Sequence, residues 1–166
     1  GRYALPEVLS SPEVPPVVVG AGPAGLFAAL VLAQAGQRPI LLARGRDVER
    51  RKADVERFWA TGELDLTSNV QFGEGGAGAF SDGKLNTGTK DLRHRFILET
   101  LAACGAPEDI LIDAKPHVGT DYLHIALKNL RRRLLDLGAD IRFESQLTGL
   151  EIQGGALAGI KISGNG

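Results

Sequence analysis

Apolar residues recur along this chain with two different periods, and the switches between them mark its elements. Val17-Val18-Val19 is an unbroken β-branched run, the pattern of a strand buried on both faces in a parallel sheet. Residues 23–35 are apolar on most sides, with Pro23 near the start and Gly36 past the end, which predicts a buried helix. Residues 40–43 predict a second buried strand. Strand, helix and strand within about thirty residues make a βαβ unit, expected to be right-handed.

Further on, residues 48–60 predict a helix with Val48, Val55, Phe58 and Trp59 inward. Residues 68–90 show no period. Residues 92–104 predict a helix through Leu92, Phe96, Leu101 and Cys104, capped by Gly105. A short strand is predicted at 110–114. Thr120 or Asp121 is placed to cap a helix whose inward row is Leu123, Leu127, Leu130, Leu134 and Leu137, ended by Gly138. Strands at 141–144, 147–152 and 156–162 follow, the last two joined by a Gly154-Gly155 turn. The expected class is α/β, a Rossmann-like domain with a parallel central sheet, helices on both faces and an added β-meander, incomplete at its C-terminal end. Residues 1–16, with Pro6, Pro12, Pro15 and Pro16, read as a lead-in, and 17–166 as the domain.

Composition narrows the picture modestly. A length of 166 residues fits one domain, and a net charge of −1 gives no reason to expect a nucleic-acid partner. The single cysteine, Cys104, leaves no internal disulfide, which fits a reducing, cytoplasmic setting. The apolar stretch 17–35 is interrupted by Gly20, Gly22, Pro23 and Gly25, so it reads as strand and helix, not as a membrane span. Gly1 stands where an initiator methionine would, and the closing Gly164-Asn165-Gly166 is a turn signal, so a piece of a longer protein is expected.

Glycine is the outlier, with 22 residues, many of them clustered. Gly20-Ala21-Gly22-Pro23-Ala24-Gly25 fits G-x-G-x-x-G between a strand and a helix, the context in which this pattern binds a dinucleotide. Gly20 allows the tight turn, Gly22 lets a pyrophosphate reach the backbone, and Gly25 lets the helix pack on the strand. The free amides of the helix start attract the phosphates. An acidic residue is expected at the end of the second strand, to bind ribose hydroxyls, but Ala43 stands there. Three readings are open. Arg44 and Arg46 accept a 2′-phosphate, making the ligand NADP; Asp47 replaces the carboxylate from the next loop; or the ribose site is weakened.

A second glycine-rich segment runs from Asn69 to Leu85. It concentrates backbone amides in a small volume, a nest for anions or carbonyl oxygens. A plain NAD(P) domain has no need of it, whereas a cofactor with a ribityl chain and an isoalloxazine ring does. The βαβ start, Leu42-Ala43-Arg44-Gly45 and this loop resemble the FAD-dependent oxidoreductases of the glutathione-reductase-like superfamily. The resemblance is closer to a group of FAD-dependent dehydrogenases, which share a loop like Phe72–Leu85 and a stretch like Lys115–Asp121. It spans residue 17 to the C-terminus, and in that group position 43 is normally Glu.

The resemblance implies an FAD site formed by Gly20, Ala21, Gly22, Pro23, Ala24 and Gly25 with Ala43 and Arg44. Gly75, Gly76, Ala77, Gly78, Ser81, Asp82 and Gly83 would line pyrophosphate, ribityl chain and flavin, and Leu147 would offer backbone groups to adenine. Lys84 would stand near the flavin N1/C2 edge, or be a solvated loop lysine. Members of the group are longer, with a preceding domain and a large C-terminal part, so the remaining domains are expected partners. Substrate and catalytic residues stay unknown, and NAD(P)H is a candidate electron donor. A non-catalytic nucleotide-binding module is the remaining alternative.

Other residues read as structural. His94, His117 and His124 lack metal-ligand spacing, and no CxxC is present for a disulfide-type reductase. Cys104 reads as a core residue, Glu74 and Asp82 as turn formers, and Arg131-Arg132-Arg133 as a solvated face.

Overall fold

The computed structural model describes residues 3, 4, 7, 12–81, 91–112 and 118–164. The first strand, β1 (Val17–Val19), leads into helix α1 (Pro23–Gln34) and then β2 (Ile40–Leu42). The strands pair in parallel, Val18 opposite Leu41, which completes the βαβ unit. Three helices follow, α2 (Val48–Thr61), α3 (Leu92–Ala103) and α4 (Thr120–Asp136), with short 3-10 turns at Ala77–Phe80 and Glu108–Leu111. Strand β3 (Asp140–Arg142) then pairs in parallel with β2, placing β2 between β1 and β3. The last two strands, β4 (Ser145–Gln153) and β5 (Ala156–Gly164), form an antiparallel ribbon.

Helix α1 explains itself residue by residue. Pro23 fills the first helical position, where a missing N–H costs nothing. Leu26, Ala29, Leu30 and Ala33 repeat at helical spacing and are buried. At the end, the Gln37 amide donates to the Leu32 carbonyl and the Gly36 amide to that of Ala33, a Schellman closure made possible by the left-handed Gly36. The same closure ends α3 at Gly105 and α4 at Gly138. The core lies where α1, β2 and α4 meet, around Leu30, Leu41, Leu127, Leu130 and Leu134.

Several elements differ from expectation. Among the described residues β1 stands at an edge of the sheet, and Val17 and Val19 are 38% and 56% exposed; a β-branched run is buried on both faces only where other layers cover both faces of the sheet. Trp59 points outward, because the inward row of α2 runs through Val48, Arg51 and Val55. Leu92 and Leu137, at helix ends, are exposed. Residues 108–111 form a 3-10 turn where the strand over 110–114 is expected to begin, and 113 and 114 lie outside the described residues; a short apolar run carries no period to separate the two. Helix α4 is capped at Gly119, one residue before Thr120. The Gly154-Gly155 turn is present, both residues with positive φ, and joins the two described strands of the expected meander.

Candidate functional site

The turn between β1 and α1 is open where a ligand would need it open and tight where packing needs it tight. Gly20 has φ +99°, and its amide donates to the Leu42 carbonyl at 2.8 Å, locking the turn to β2. A Cβ on Gly25 would lie 1.8 Å from the Gly20 carbonyl oxygen, so only glycine fits there. A Cβ on Gly22 would meet nothing within 4 Å. Gly22 caps α1 and has no side chain to satisfy the first-turn amides. The amides of Ala24 and Gly25 therefore face outward from a helix start whose dipole favours an anion. Ala21 is buried, while Pro23 and Ala24 are exposed.

The second glycine segment docks directly on this turn. The Gly75 amide donates to the Ala21 carbonyl at 2.8 Å. A Cβ on Gly76 would approach Pro23 Cδ to 3.1 Å and Gly22 Cα to 3.5 Å. Ala77 and Gly78 are exposed in the following 3-10 turn, with open space at Gly78, and the Ser81 hydroxyl bonds the Gly78 carbonyl at 3.4 Å. His124 holds this turn from α4, its Nε2 2.6 Å from the Ala79 carbonyl oxygen. Two segments separated by some fifty positions thus form one continuous glycine-lined surface. Asp82, Gly83, Lys84 and His117 lie outside the described residues.

Buried charge fixes the second segment in place. Arg51 is fully buried in α2 and donates to the carbonyls of Asn69, Val70 and Glu74 at 2.8, 2.7 and 2.7 Å. Its guanidinium also lies 4.5 Å from the Phe80 ring, and burial lowers its pKa to about 10. Glu74, 1% exposed, accepts from the Val48 amide at 2.8 Å and from Arg131 at 2.9 Å. Its other carboxylate oxygen, Oε1, is buried without a partner. Burial pushes the Glu74 carboxyl up to about 7, against the opposing pull of Arg131 and the Val48 amide. Arg131 is accordingly a half-buried anchor and not simply part of a solvated face, as it also pairs with Glu49 at 2.7 Å. Nothing in the residue pattern marks this Arg51–Glu74–Arg131 chain, since charged residues at these spacings ordinarily face water.

The sequence reading assigns the ribose to the end of β2. Ala43 is 1% exposed; its amide donates to the Arg142 carbonyl and its carbonyl accepts from the Ser145 amide. That second bond brings the start of β4, and half-buried Leu147 with it, to the end of β2. Arg46 is engaged by Asp54 at 2.9 Å and Glu144 at 3.2 Å, contacts that a 2′-phosphate would have to displace. Asp47 caps α2 and pairs with Arg50, so its carboxylate is committed. Arg44 lies over the Phe72 ring, 4.4 Å from its centre, and its Nη2 donates to the Leu66 carbonyl at 3.3 Å. Cys104 is buried in the core, as its helical position predicts. Among the described residues, no cluster of His, Cys, Asp and Glu could hold a metal ion, and no helix is long and apolar enough to cross a membrane.

The fold and the paired glycine segments define a Rossmann-like dinucleotide-binding unit. Comparison with known proteins specifies the dinucleotide: residues 16–83 match the FAD binding domain family. A Clostridium beijerinckii protein described only as uncharacterized is 52% identical over 149 residues, covering 90% of this chain and 28% of that protein. The chain therefore spans under a third of the length of that curated relative. The structure of THI4 from Thermovibrio ammonificans overlaps with a TM-score of 0.51 at 19% identity, over 90% of this chain and 47% of that one, and shares its fold. L-Amino acid deaminase from Proteus myxofaciens overlaps more loosely, with a TM-score of 0.42 at 12% identity over 98% of this chain and 46% of that one. The family match assigns FAD as the dinucleotide of the unit that begins at β1.

Proposed function

We propose that this chain is the cofactor-holding part of a longer flavin-dependent oxidoreductase, related to the FAD-dependent dehydrogenases of the glutathione-reductase-like superfamily. The observation that carries the reading is the 2.8 Å bond from the Gly75 amide to the Ala21 carbonyl, which joins the phosphate turn and the second glycine loop into one surface. The residues fit FAD: space for a pyrophosphate at Gly22, outward amides at Ala24 and Gly25, and a second row of small residues at Gly76, Ala77 and Gly78 beside them. Bound there, the flavin would supply hydride or electron-pair chemistry, and the protein would bind and orient it.

In this reading, Gly20 through Gly25 take the pyrophosphate, and Gly75 through Gly78 with Ser81 follow the ribityl chain toward the ring. The resemblance also assigns Gly83 and Lys84, which lie outside the described residues, to this site. The backbone of Leu147, drawn to β2 through Ser145, serves the adenine end. Ala43 and Arg44 stand where ribose is bound, with no carboxylate at position 43. The remaining domains of the parent chain would carry the substrate side, and NAD(P)H is the electron donor proposed for it.

Two measurements test this. The purified chain, titrated with FAD, should show the shifted flavin absorbance of a bound ring, and its absence at saturating FAD would reject the proposal. Changing Ala43→Glu should tighten FAD binding by about tenfold, corresponding to one recovered charged hydrogen bond of about 1–3 kcal/mol to the ribose. Unchanged affinity would show that FAD does not use this position.

A further inference from the structure

The fold brings another carboxylate to the ribose end that Ala43 leaves without one. Glu144 follows β3, the strand beside β2. Its amide donates to the Gly45 carbonyl at 3.0 Å, and the next amide, that of Ser145, donates to the Ala43 carbonyl at 2.9 Å. Residue 144 is therefore pinned against the backbone of residues 43–45, one strand spacing away, about 4.8 Å. Its own backbone is left-handed, with φ +52°; Glu144 and Arg38 are the non-glycine residues of positive φ among the described residues. Glycine or asparagine adopts that conformation more readily, so a glutamate is held there at a cost in backbone strain. Strain of this kind gathers where function requires a particular side chain.

Two arginines hold the side chain in place. Arg46 Nε donates to Glu144 Oε1 at 3.2 Å, and Arg50 Nη1 donates to Oε2 at 3.4 Å. Neither arginine needs this partner to balance its charge, since Arg46 also pairs with Asp54 at 2.9 Å and Arg50 with Asp47. Each Glu144 oxygen keeps a lone pair beyond its arginine bond, and the side chain is 27% exposed. On the basis of the FAD reading above, we propose that Glu144 stands in for the absent acid at position 43 and accepts hydrogen bonds from the hydroxyls of the adenosine ribose. The same carboxylate selects the ligand. A 2′-phosphate at this place would meet the Glu144 charge and would have to draw Arg46 and Arg50 away from Asp54 and Asp47. Free ribose hydroxyls meet an acceptor that is already oriented. The site therefore takes a dinucleotide whose ribose is unphosphorylated.

The test titrates the chain with FAD, followed by its absorbance, and then displaces FAD with ADP or with 2′,3′-dideoxy-ADP, which lacks both ribose hydroxyls. The unaltered chain should bind ADP at least about tenfold more tightly than the dideoxy compound, as expected for a hydrogen bond to a charged group. Changing Glu144→Gln keeps the side-chain size and removes the charge. It should weaken FAD and ADP about tenfold and leave dideoxy-ADP within about twofold, so that the preference for ribose hydroxyls disappears. A Glu144 that only supports the fold would weaken all three ligands alike, and that result overturns the proposal. Equal binding of ADP and dideoxy-ADP to the unaltered chain also overturns it, a readout that stands even if the variant fails to fold. A chain that binds neither FAD nor ADP overturns the FAD reading itself, whereas FAD binding without a ribose preference overturns the role of Glu144 alone.

Discussion

The amide of Gly75 donates to the carbonyl of Ala21 across 2.8 Å, so that the loop after α2 is fastened to the phosphate turn before α1. The bond needs the backbone of Gly75 at φ +86°, in contact with Leu127. A methyl group at position 75 meets both a left-handed backbone and a leucine methyl at 2.3 Å. Changing Gly75→Ala should cost about 1–3 kcal/mol of stability by denaturant titration and weaken FAD binding in parallel. A variant as stable as the parent would mean that the two segments are not held by this contact.

Two glycines of the same turn make opposite predictions. Gly22 has extended backbone and open space around its Cβ, so Gly22→Ala should melt within a few degrees of the parent. Its added methyl stands where the pyrophosphate would lie, and FAD affinity should fall at least about tenfold. Gly25→Ala forces a methyl to within 1.8 Å of the Gly20 carbonyl and should destroy the turn itself, visible as lost cooperativity in melting. Equal melting temperatures for the two variants would contradict this division between ligand space and packing space.

Arg51 should not tolerate lysine. Its guanidinium bonds three carbonyls and stacks near Phe80 from a fully buried position. An ammonium group lacks the planar fork that reaches all three. Changing Arg51→Lys should cost about 2–4 kcal/mol, because buried carbonyls are left without donors. Denaturant midpoints of the two proteins measure it.

Glu74 gives the fold a pH dependence with a definite sign. In the folded chain its carboxyl holds its proton up to about pH 7, whereas an ordinary glutamate releases it near 4.5. Between these values the folded state binds more protons than the unfolded one, so Glu74 lowers stability as pH rises through that window. Changing Glu74→Gln removes the titration. The melting temperature of the variant relative to the parent should therefore climb from pH 5 to pH 7.5, whatever constant offset the lost Arg131 pair introduces. A difference that stays flat over this range would show that Glu74 does not titrate there.

The parts legible in the sequence are those set by neighbours in the chain. Gly20 to Gly25, the Schellman glycines and the Gly154-Gly155 turn obey local backbone rules and stand where their spacing placed them. Burial set by distant partners was not legible. Arg51 occupies an inward helical position because carbonyls from residues 69, 70 and 74 come to meet it, and no pattern within α2 announces them. Trp59 reads as inward from sequence for the same reason, its hydrophobicity standing in for a neighbour that the fold does not provide. The contact of the two glycine segments likewise depends on a loop closing over some fifty residues, which no local period encodes.

The free edge of β1 has a practical consequence. Its outer backbone groups have no strand beside them among the described residues, and Val17 and Val19 stand exposed along it. Such an edge is a template for adding strands from other molecules. Prepared by itself at high concentration, the chain will tend to self-associate through this edge, and a lysine in place of Val19 is the change best suited to keep it dispersed.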